Sequence, residues 1–329
     1  MDTRFDVVGI GNALVDVIGQ VDDAFLTGHG LVKGSMALLD AGRALVLRDD
    51  LGPAVERSGG SAANTLAGVA SLGGRGAFIG SVGDDRLGKV FADDIRSVGV
   101  EFHSGPTPAQ APTGCCLVAV TPDAERTMST LLGAAAELDP GDVDEHLVAG
   151  AAVTYLEGYL VEQKGAREAF YKAAAAAHRA DRKVALTLSD SMCVGRFRQE
   201  FVELAEGTAD LLFANEDELR LLYGTDDADE ALTEAERRCA LVALTRGSRG
   251  STVAAGGERH HVPAVSVPRV VDTTGAGDLY AAGFLHGLSR GCDAETCGKL
   301  GAVAAAEVIT HLGARPETPL DTLVGTLLD

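Results

Sequence analysis

Short apolar runs of β type recur along this chain, each followed by a longer run with helical spacing, and this alternation limits the fold more than any other feature. Strand candidates fall at 5–10, 77–82, 152–155, 184–188, 211–214, 241–245 and 252–255. Several are apolar throughout, as strands covered on both faces are. Helix candidates lie at 62–72, 87–98, 162–180, 196–205, 216–222 and 233–239, and 277–289 and 294–311 close the chain. The pattern predicts an α/β fold: a doubly wound, mostly parallel sheet with helices on both faces. Two stretches interrupt it. Residues 14–57 are punctuated by Gly and Asp, with short apolar pieces such as 36–39. Residues 101–135 hold the turn-rich Gly105-Pro-Thr-Pro-Ala-Gln-Ala-Pro-Thr-Gly114, then apolar 115–120, the turn Thr121-Pro-Asp-Ala, and 126–132. Both read as β-hairpin insertions. They are either separate surface hairpins or two parts of one small sheet beside the main one.

Charge narrows the partners. Lys and Arg number 28 against 48 Asp and Glu, a net charge of −20. Such a chain suits neither nucleic-acid phosphates nor anionic lipid, so a small-molecule partner is expected, and an anionic one would need a local positive site. The absence of Trp disfavours a base-stacking single-strand binder. No stretch has a basic start followed by a long apolar core, and no apolar run is long enough to span a bilayer. Cys115, Cys116, Cys193, Cys239, Cys292 and Cys297 form no C-x-x-C and no zinc spacing, and read as reduced thiols of a cytoplasmic protein.

Several motifs fail. Gly9-Ile-Gly11-Asn-Ala-Leu14 lacks the third Gly of a dinucleotide fingerprint. There is no P-loop, G-x-S-x-G, H-E-x-x-H or EF-hand loop, and His178-Arg-Ala-Asp181 lies at a polar helix end. The histidines show no metal spacing, and His260-His261 reads as turn decoration.

One segment is informative: Val270-Val-Asp272-Thr-Thr-Gly275-Ala-Gly277-Asp278-Leu-Tyr-Ala-Ala-Gly283. A β run ending at Asp272 meets a Gly-rich turn that opens a long helix. Backbone N–H groups of Gly275, Ala276 and Gly277 would form an anion site backed by the helix dipole, and a phosphate is the obvious guest. Asp278 in the first turn is either a carboxylate that complements the dipole or a general base for a hydroxyl attacking that phosphate. A second Gly-rich turn, Ser58-Gly59-Gly60-Ser61-Ala-Ala-Asn64, also opens a helix, and Asn64 offers a donor and an acceptor to sugar hydroxyls.

Taken together, the two segments resemble the ribokinase/PfkB family of carbohydrate and nucleoside kinases. Gly59-Gly60-x-x-x-Asn64 is similar to its N-terminal signature and Asp272-Thr-Thr-Gly-Ala-Gly-Asp278 to its C-terminal one. Asn215-Glu-Asp-Glu218 is similar to its N-x-x-E motif, and Thr245-Arg-Gly247-Ser-Arg-Gly250 to its nucleotide loop. The resemblance covers essentially the whole chain. It implies one ribokinase-like domain, 1–329, whose insertions at about 14–57 and 101–135 form a β-sheet lid over the α/β core, as a monomer or homodimer. It implies ATP and Mg²⁺, with Asp278 as base and the Gly275–Gly277 turn stabilising the transferred phosphoryl group. Asn215 and Glu218 would organise Mg²⁺ through water. Thr245, Gly247 and Gly250 would lie near ATP, and Asp272 and Thr274 at a monovalent-cation (K⁺) site.

Gly9-Ile-Gly11-Asn12-Ala-Leu-Val-Asp16 resembles the adenosine-kinase branch. That implies Asp16 on ribose hydroxyls, with Asn12, Gly59, Gly60 and Asn64 completing the site. Asp16 is otherwise a strand-end aspartate. Arg126 resembles a lid arginine that reaches the phosphoryl group on closure, and is otherwise a solvated hairpin-tip charge. Cys116 aligns with an apolar base-pocket position, and Met36 falls where eukaryotic adenosine kinases carry an amide. Phosphoryl transfer to the 5′-hydroxyl of adenosine is the first expectation. A sugar kinase of fructokinase or ribokinase type is the second, and a non-catalytic nucleoside- or sugar-binding relative the third.

Overall fold

The computed structural model describes residues 3–105, 109–123 and 125–328, so Pro106–Pro108 and Ala124 of the two expected turns lie outside the described residues. In chain order the strands are β1 (Phe5–Ile10), β2 (Leu14–Gln20), β3 (Met36–Leu38), β4 (Ala54–Gly59), β5 (Gly76–Ile79), β6 (Val100–His103) and β7 (Gly114–Val120). They continue with β8 (Arg126–Leu131), β9 (Ala151–Glu157), β10 (Lys183–Thr187), β11 (Leu211–Asn215), β12 (Leu241–Thr245), β13 (Ser251–Ala255) and β14 (Glu258–Val262).

Nine strands form the main sheet in the order β14-β13-β12-β11-β10-β9-β1-β5-β6. Every pairing from β6 to β12 is parallel, and β13 and β14 add an antiparallel edge. Successive residues of one strand feed opposite cores. Phe213 and Ala243 pack with helices Ser61–Ser71, Ala276–Ser289 and Ala294–Val308. Leu212, Ala214, Val242 and Leu244 pack with helices Lys164–Arg179 and Arg198–Gly207 on the other face. Burial on both faces is why these strands read as unbroken apolar runs.

Two differences follow from pairing rather than propensity. His260 and His261 sit in β14, paired with Val253 and Thr252, and not in a turn. No strand ends at Asp272: residues 263–275 cross the surface as irregular chain before the helix.

The interrupting stretches meet in a separate five-stranded sheet, ordered β3-β8-β7-β2-β4. Only β7–β8 is a true hairpin. The first stretch is not one, because helices Asp23–Gly28 and Ala41–Leu51 and strand β3 lie between β2 and its partner β4. The second does not begin at 101, since 101–103 belong to β6 of the main sheet. β2 and β7 pair in parallel and thereby join the two stretches. Side chains at alternate positions face the main sheet, so Leu14, Asp16, Cys116, Val118, Met128 and Thr130 share one side.

Candidate active site

Parallel strands leave their loops at the carboxyl edge, and that edge is where open α/β sheets bind ligands. Here Glu157, Thr187, Asn215 and Thr245 end β9, β10, β11 and β12, and a cavity of about 780 Å³ opens over them. The small sheet forms its opposite wall.

Two helix starts converge on the cavity floor. Gly60 precedes helix Ser61–Ser71 with φ +99°, and a Cβ there would overlap the Asn12 carbonyl oxygen. Gly275 precedes helix Ala276–Ser289 with φ +80°, and its Cβ would stand 2.6 Å from Cα of Ala314. No side chain caps this second helix. Gly275 and Gly277 line the cavity, whereas the N–H of Ala276 donates to the carbonyl of Thr273 at 3.1 Å. The turn therefore presents backbone with little side chain in the way, at the positive end of a helix dipole.

Asp278 links the two helix starts. Its carboxylate accepts from Ser61 Oγ at 2.6 Å and from Asn64 Nδ2 at 3.1 Å. Burial raises its pKa, opposed by those two bonds and by Arg315. Burial likewise raises Asp16 to about 6, against the pull of Arg315 and Arg126. Glu157 is 1% exposed and is raised to about 7 by burial. It accepts from Asn12 Nδ2 at 2.7 Å and from the N–H of Ala62 at 2.8 Å, and so ties the end of β1 to the first turn of helix Ser61–Ser71. Two of these carboxyls thus titrate within about two units of neutrality, a pattern common where acid–base work is done.

The expected site residues fall into groups. Asn12, Asp16, Met36, Gly60, Asn64, Cys116, Arg126, Asn215, Glu218, Thr245, Thr274, Gly275, Gly277 and Asp278 share the cavity wall. Gly59 lies behind Asp16, and a Cβ there would meet the Asp16 carboxylate at 2.6 Å. Gly247, Gly250, Asp272 and Ala276 do not line it. Gly250 packs on the backbone of 262–264, which accounts for it as a turn glycine. Cys116 is buried with its thiol raised to about 12, so it acts as a small apolar surface.

Asn215 and Glu218 form a capping box: Asn215 Oδ1 accepts from the N–H of Glu218, and the Glu218 carboxylate accepts from the N–H of Asn215, both at 2.9 Å. Buried Glu218 is raised to about 7, first by desolvation and then by nearby carboxylates that include Asp190. These hard oxygens suit Mg²⁺, but no three metal-ligating side chains converge among the described residues, so the ion fits here only through its own waters. Asp272 does not fit a cation in this conformation. Its Oδ2 accepts from Arg126 Nη1 at 2.7 Å and from the N–H of Gly313 at 3.0 Å, and its Oδ1 from the N–H of Thr274 at 2.9 Å. Burial works against the Asp272 charge, yet these bonds hold its pKa below the usual range.

The Arg126–Asp272 pair is 12% and 9% exposed and joins the small sheet to the glycine turn, so Arg126 is not a solvated hairpin tip. If this contact aligns the site for transfer, Arg126→Gln will lower kcat and kcat/KM together by about tenfold, the scale of one charge-assisted hydrogen bond. Steady-state kinetics with native-like melting checks this, and changes within about twofold would leave the pair structural.

Glu157 and Arg315 belong to no motif read from the sequence, and Ser61 lies inside the second glycine turn with no role assigned to it there. Glu157 carried one usable signal, a carboxylate directly after an apolar strand at the ligand-binding edge. Ser61 and Arg315 carried none, because their partners lie 217 and 251 residues away.

A glycine-flanked helix start with a half-buried carboxylate beside it, facing a deep cavity at the carboxyl edge of the sheet, fits a phosphotransferase of ribokinase-like fold. The chain belongs to the pfkB family of carbohydrate kinases, which matches residues 51–321. It is similar to the solved adenosine kinase of Sinorhizobium meliloti, with 51% identity and a TM-score of 0.90 over 98% of this chain and 99% of that one. Adenosine kinase 2 of Arabidopsis thaliana is 28% identical over 95% of this chain and 96% of its own. A fructokinase of Klebsiella pneumoniae is 29% identical over 74% and 81%. No helix among the described residues is long and apolar enough to cross a membrane.

Proposed function

We propose that this kinase transfers the γ-phosphoryl group of ATP to the 5′-hydroxyl of adenosine, with the small sheet as a lid over the acceptor. The carrying observation is the cavity face of that sheet: Leu14, Met36, Leu38, Val118 and Met128 form an apolar wall above Asp16 and Asn64. A monosaccharide presents hydroxyls on every side and gains little from such a wall. A purine has two apolar faces, and burying them is worth about 25 cal/mol per Å². The likeness to adenosine kinases along the whole chain supports the same reading.

In this reading Asp16 accepts from the vicinal ribose hydroxyls, and Asn12, Gly59, Gly60 and Asn64 shape the ribose site. Cys116 and Met36 pack on the base. Asp278 takes the proton from the 5′-oxygen as that oxygen bonds to the γ-phosphorus. The bond to the β–γ bridging oxygen breaks, and ADP leaves. The backbone N–H groups of Gly275 and Gly277, which line the cavity, meet the charge that grows on the transferred group. Asn215 and Glu218 would hold Mg²⁺ through its waters, and the ion would supply charge neutralisation to the phosphates. Thr245 borders the nucleotide, while Gly247 and Gly250, which do not line the cavity, shape the turn that follows it. Thr274 and Asp272 support the turn, and no step is assigned to K⁺.

A coupled kinase assay with adenosine, 2′-deoxyadenosine, fructose and ribose tests the reading. Adenosine should be the best acceptor, and Asp16→Ala should raise its KM while leaving that of ATP unchanged. Turnover of fructose without turnover of adenosine would overturn it in favour of a sugar kinase. ATP turnover with none of the acceptors would favour a different alcohol.

Asp16 gives a pH test. It takes up a proton as pH falls through about 6, and the neutral carboxyl loses the charge that draws two hydroxyls. The KM for adenosine should therefore rise below that pH, and Asp16→Asn should have a high KM with this rise removed. A wild-type KM that is flat from pH 7.5 to 5 would take Asp16 off the ribose.

A further inference from the structure

Three consecutive residues after the last long helix touch three separate parts of the site. Gly313 donates its N–H to Asp272 at 3.0 Å. Ala314 fills the space where a Cβ on Gly275 would go. Arg315 Nε donates to Asn64 Oδ1 at 3.3 Å, and its Nη2 to Ser58 Oγ at 2.8 Å. Its Nη1 lies 3.4 Å from Asp94 Oδ2, and that same oxygen accepts from the N–H of Ser58 at 2.8 Å. Arg315 is 15% exposed and anchored at three points, so it is built in and not a surface charge.

An asparagine amide has one accepting and one donating end, and which way it points is set by its neighbours. Asp278, when ionised, can only accept. Arginine can only donate. Asn64 lies between them with Oδ1 toward Arg315 and Nδ2 toward Asp278. Without the guanidinium, Oδ1 of Asn64 loses this donor, and the single bond from Nδ2 to Asp278 is left to fix the plane of the amide.

We propose that Arg315 is a positioning residue for phosphoryl transfer: it sets the amide orientation of Asn64, and through Asn64 it aims the Asp278 carboxylate at the acceptor hydroxyl. It does not line the cavity. Its guanidinium also lies near enough to Asp16 and Asp278 for its positive charge to act on both carboxylates. The proposal rests on the reading of Asp278 as base, and not on the identity of the acceptor.

Arg315→Gln, Arg315→Lys, Asn64→Ala and the double variant Arg315→Gln/Asn64→Ala test it, each assayed with adenosine and with fructose so that the measured acceptor is whichever the wild type uses. Arg315→Gln should lower kcat by about 10- to 100-fold, the scale of one lost charge-assisted hydrogen bond, with the KM for ATP unchanged. Arg315→Lys keeps a donor-only cation and should recover part of that loss. The double variant should be no slower than Asn64→Ala alone, because both changes break one chain of contacts. Losses that multiply in the double variant, or an Arg315→Gln kcat within about threefold of wild type, would overturn the proposal. If Arg315→Gln does not fold, a Lys variant that folds and falls short of wild-type kcat supports it, and one with full kcat overturns it. A wild type that uses fructose and not adenosine defeats the acceptor reading alone and leaves this test intact.

Discussion

Asp278→Asn is expected to lower kcat by about 10²–10⁴-fold, the usual contribution of a positioned general base, and to leave the KM for ATP nearly unchanged. The variant should still fold. Asn at this position can accept from Asn64 Nδ2 through its own oxygen and donate to Ser61 Oγ, whose hydroxyl can turn to accept. Stability should hold or rise. Burial raises the Asp278 pKa, and a carboxyl raised on folding stabilises the folded state below its unfolded value and loses that contribution as pH climbs through the folded one. Near neutral pH the buried charge therefore costs stability, and the neutral amide relieves it. The pairing of a large kinetic loss with an undiminished Tm is the signature of a group held for chemistry. The variant should also lose the acid limb that Asp278 imposes on the wild-type rate. A variant with near-native kcat, or one whose Tm falls in step with its rate, would remove the base from the mechanism.

How much of this was legible in sequence depended on the distance over which each feature is encoded. The β/α alternation was readable because each parallel strand is buried on both faces by its own neighbours, and the seven expected strands of the main sheet are all present within a few residues. Both glycine turns were readable because a turn and the helix it opens are contiguous. β3, at Met36–Leu38, was visible only as a short apolar piece, since it gains its strand character by pairing with β8, ninety residues on. Helix Ala41–Leu51 was lost among Gly and Asp punctuation, because Asp40 acts as its cap and Gly52 as its stop. The irregular run before Gly275 reads as a strand from Val270 and Val271, yet both are exposed and the chain there bonds to the carbonyl of Ile309 and not to a sheet. Site residues divide in the same way. Asp278, Asn64 and Glu218 are carried by local motifs. Ser61, Glu157 and Arg315 matter only because the fold closes loops of hundreds of residues onto one another, and no local pattern records that.

Gly275→Ala should be the second most damaging single change, with kcat reduced by about 10²–10³-fold, the scale of losing one donor from an oxyanion-type site. Two independent costs meet at this position. Its φ of +80° lies in the left-handed region, where a Cβ is strained. The added Cβ would also stand 2.6 Å from Cα of Ala314, a backbone atom that cannot swing aside as a side-chain tip would. Relief requires moving either the turn or the 313–315 strap. Moving the turn displaces the backbone donors from the transferred phosphoryl group. Moving the strap shifts Gly313 from Asp272 and Arg315 from Asn64, so the damage reaches the base by a second route. Gly277, two positions on, supplies the control. Gly277 has no atom within 4 Å of a built Cβ and no left-handed φ, so Gly277→Ala meets neither cost. It should fold normally, and any loss it causes would come from a methyl group facing the phosphate. Circular dichroism, Tm and steady-state kinetics on the two variants separate these effects. Equal kcat values near wild type for both would mean that the turn does not hold the phosphoryl group.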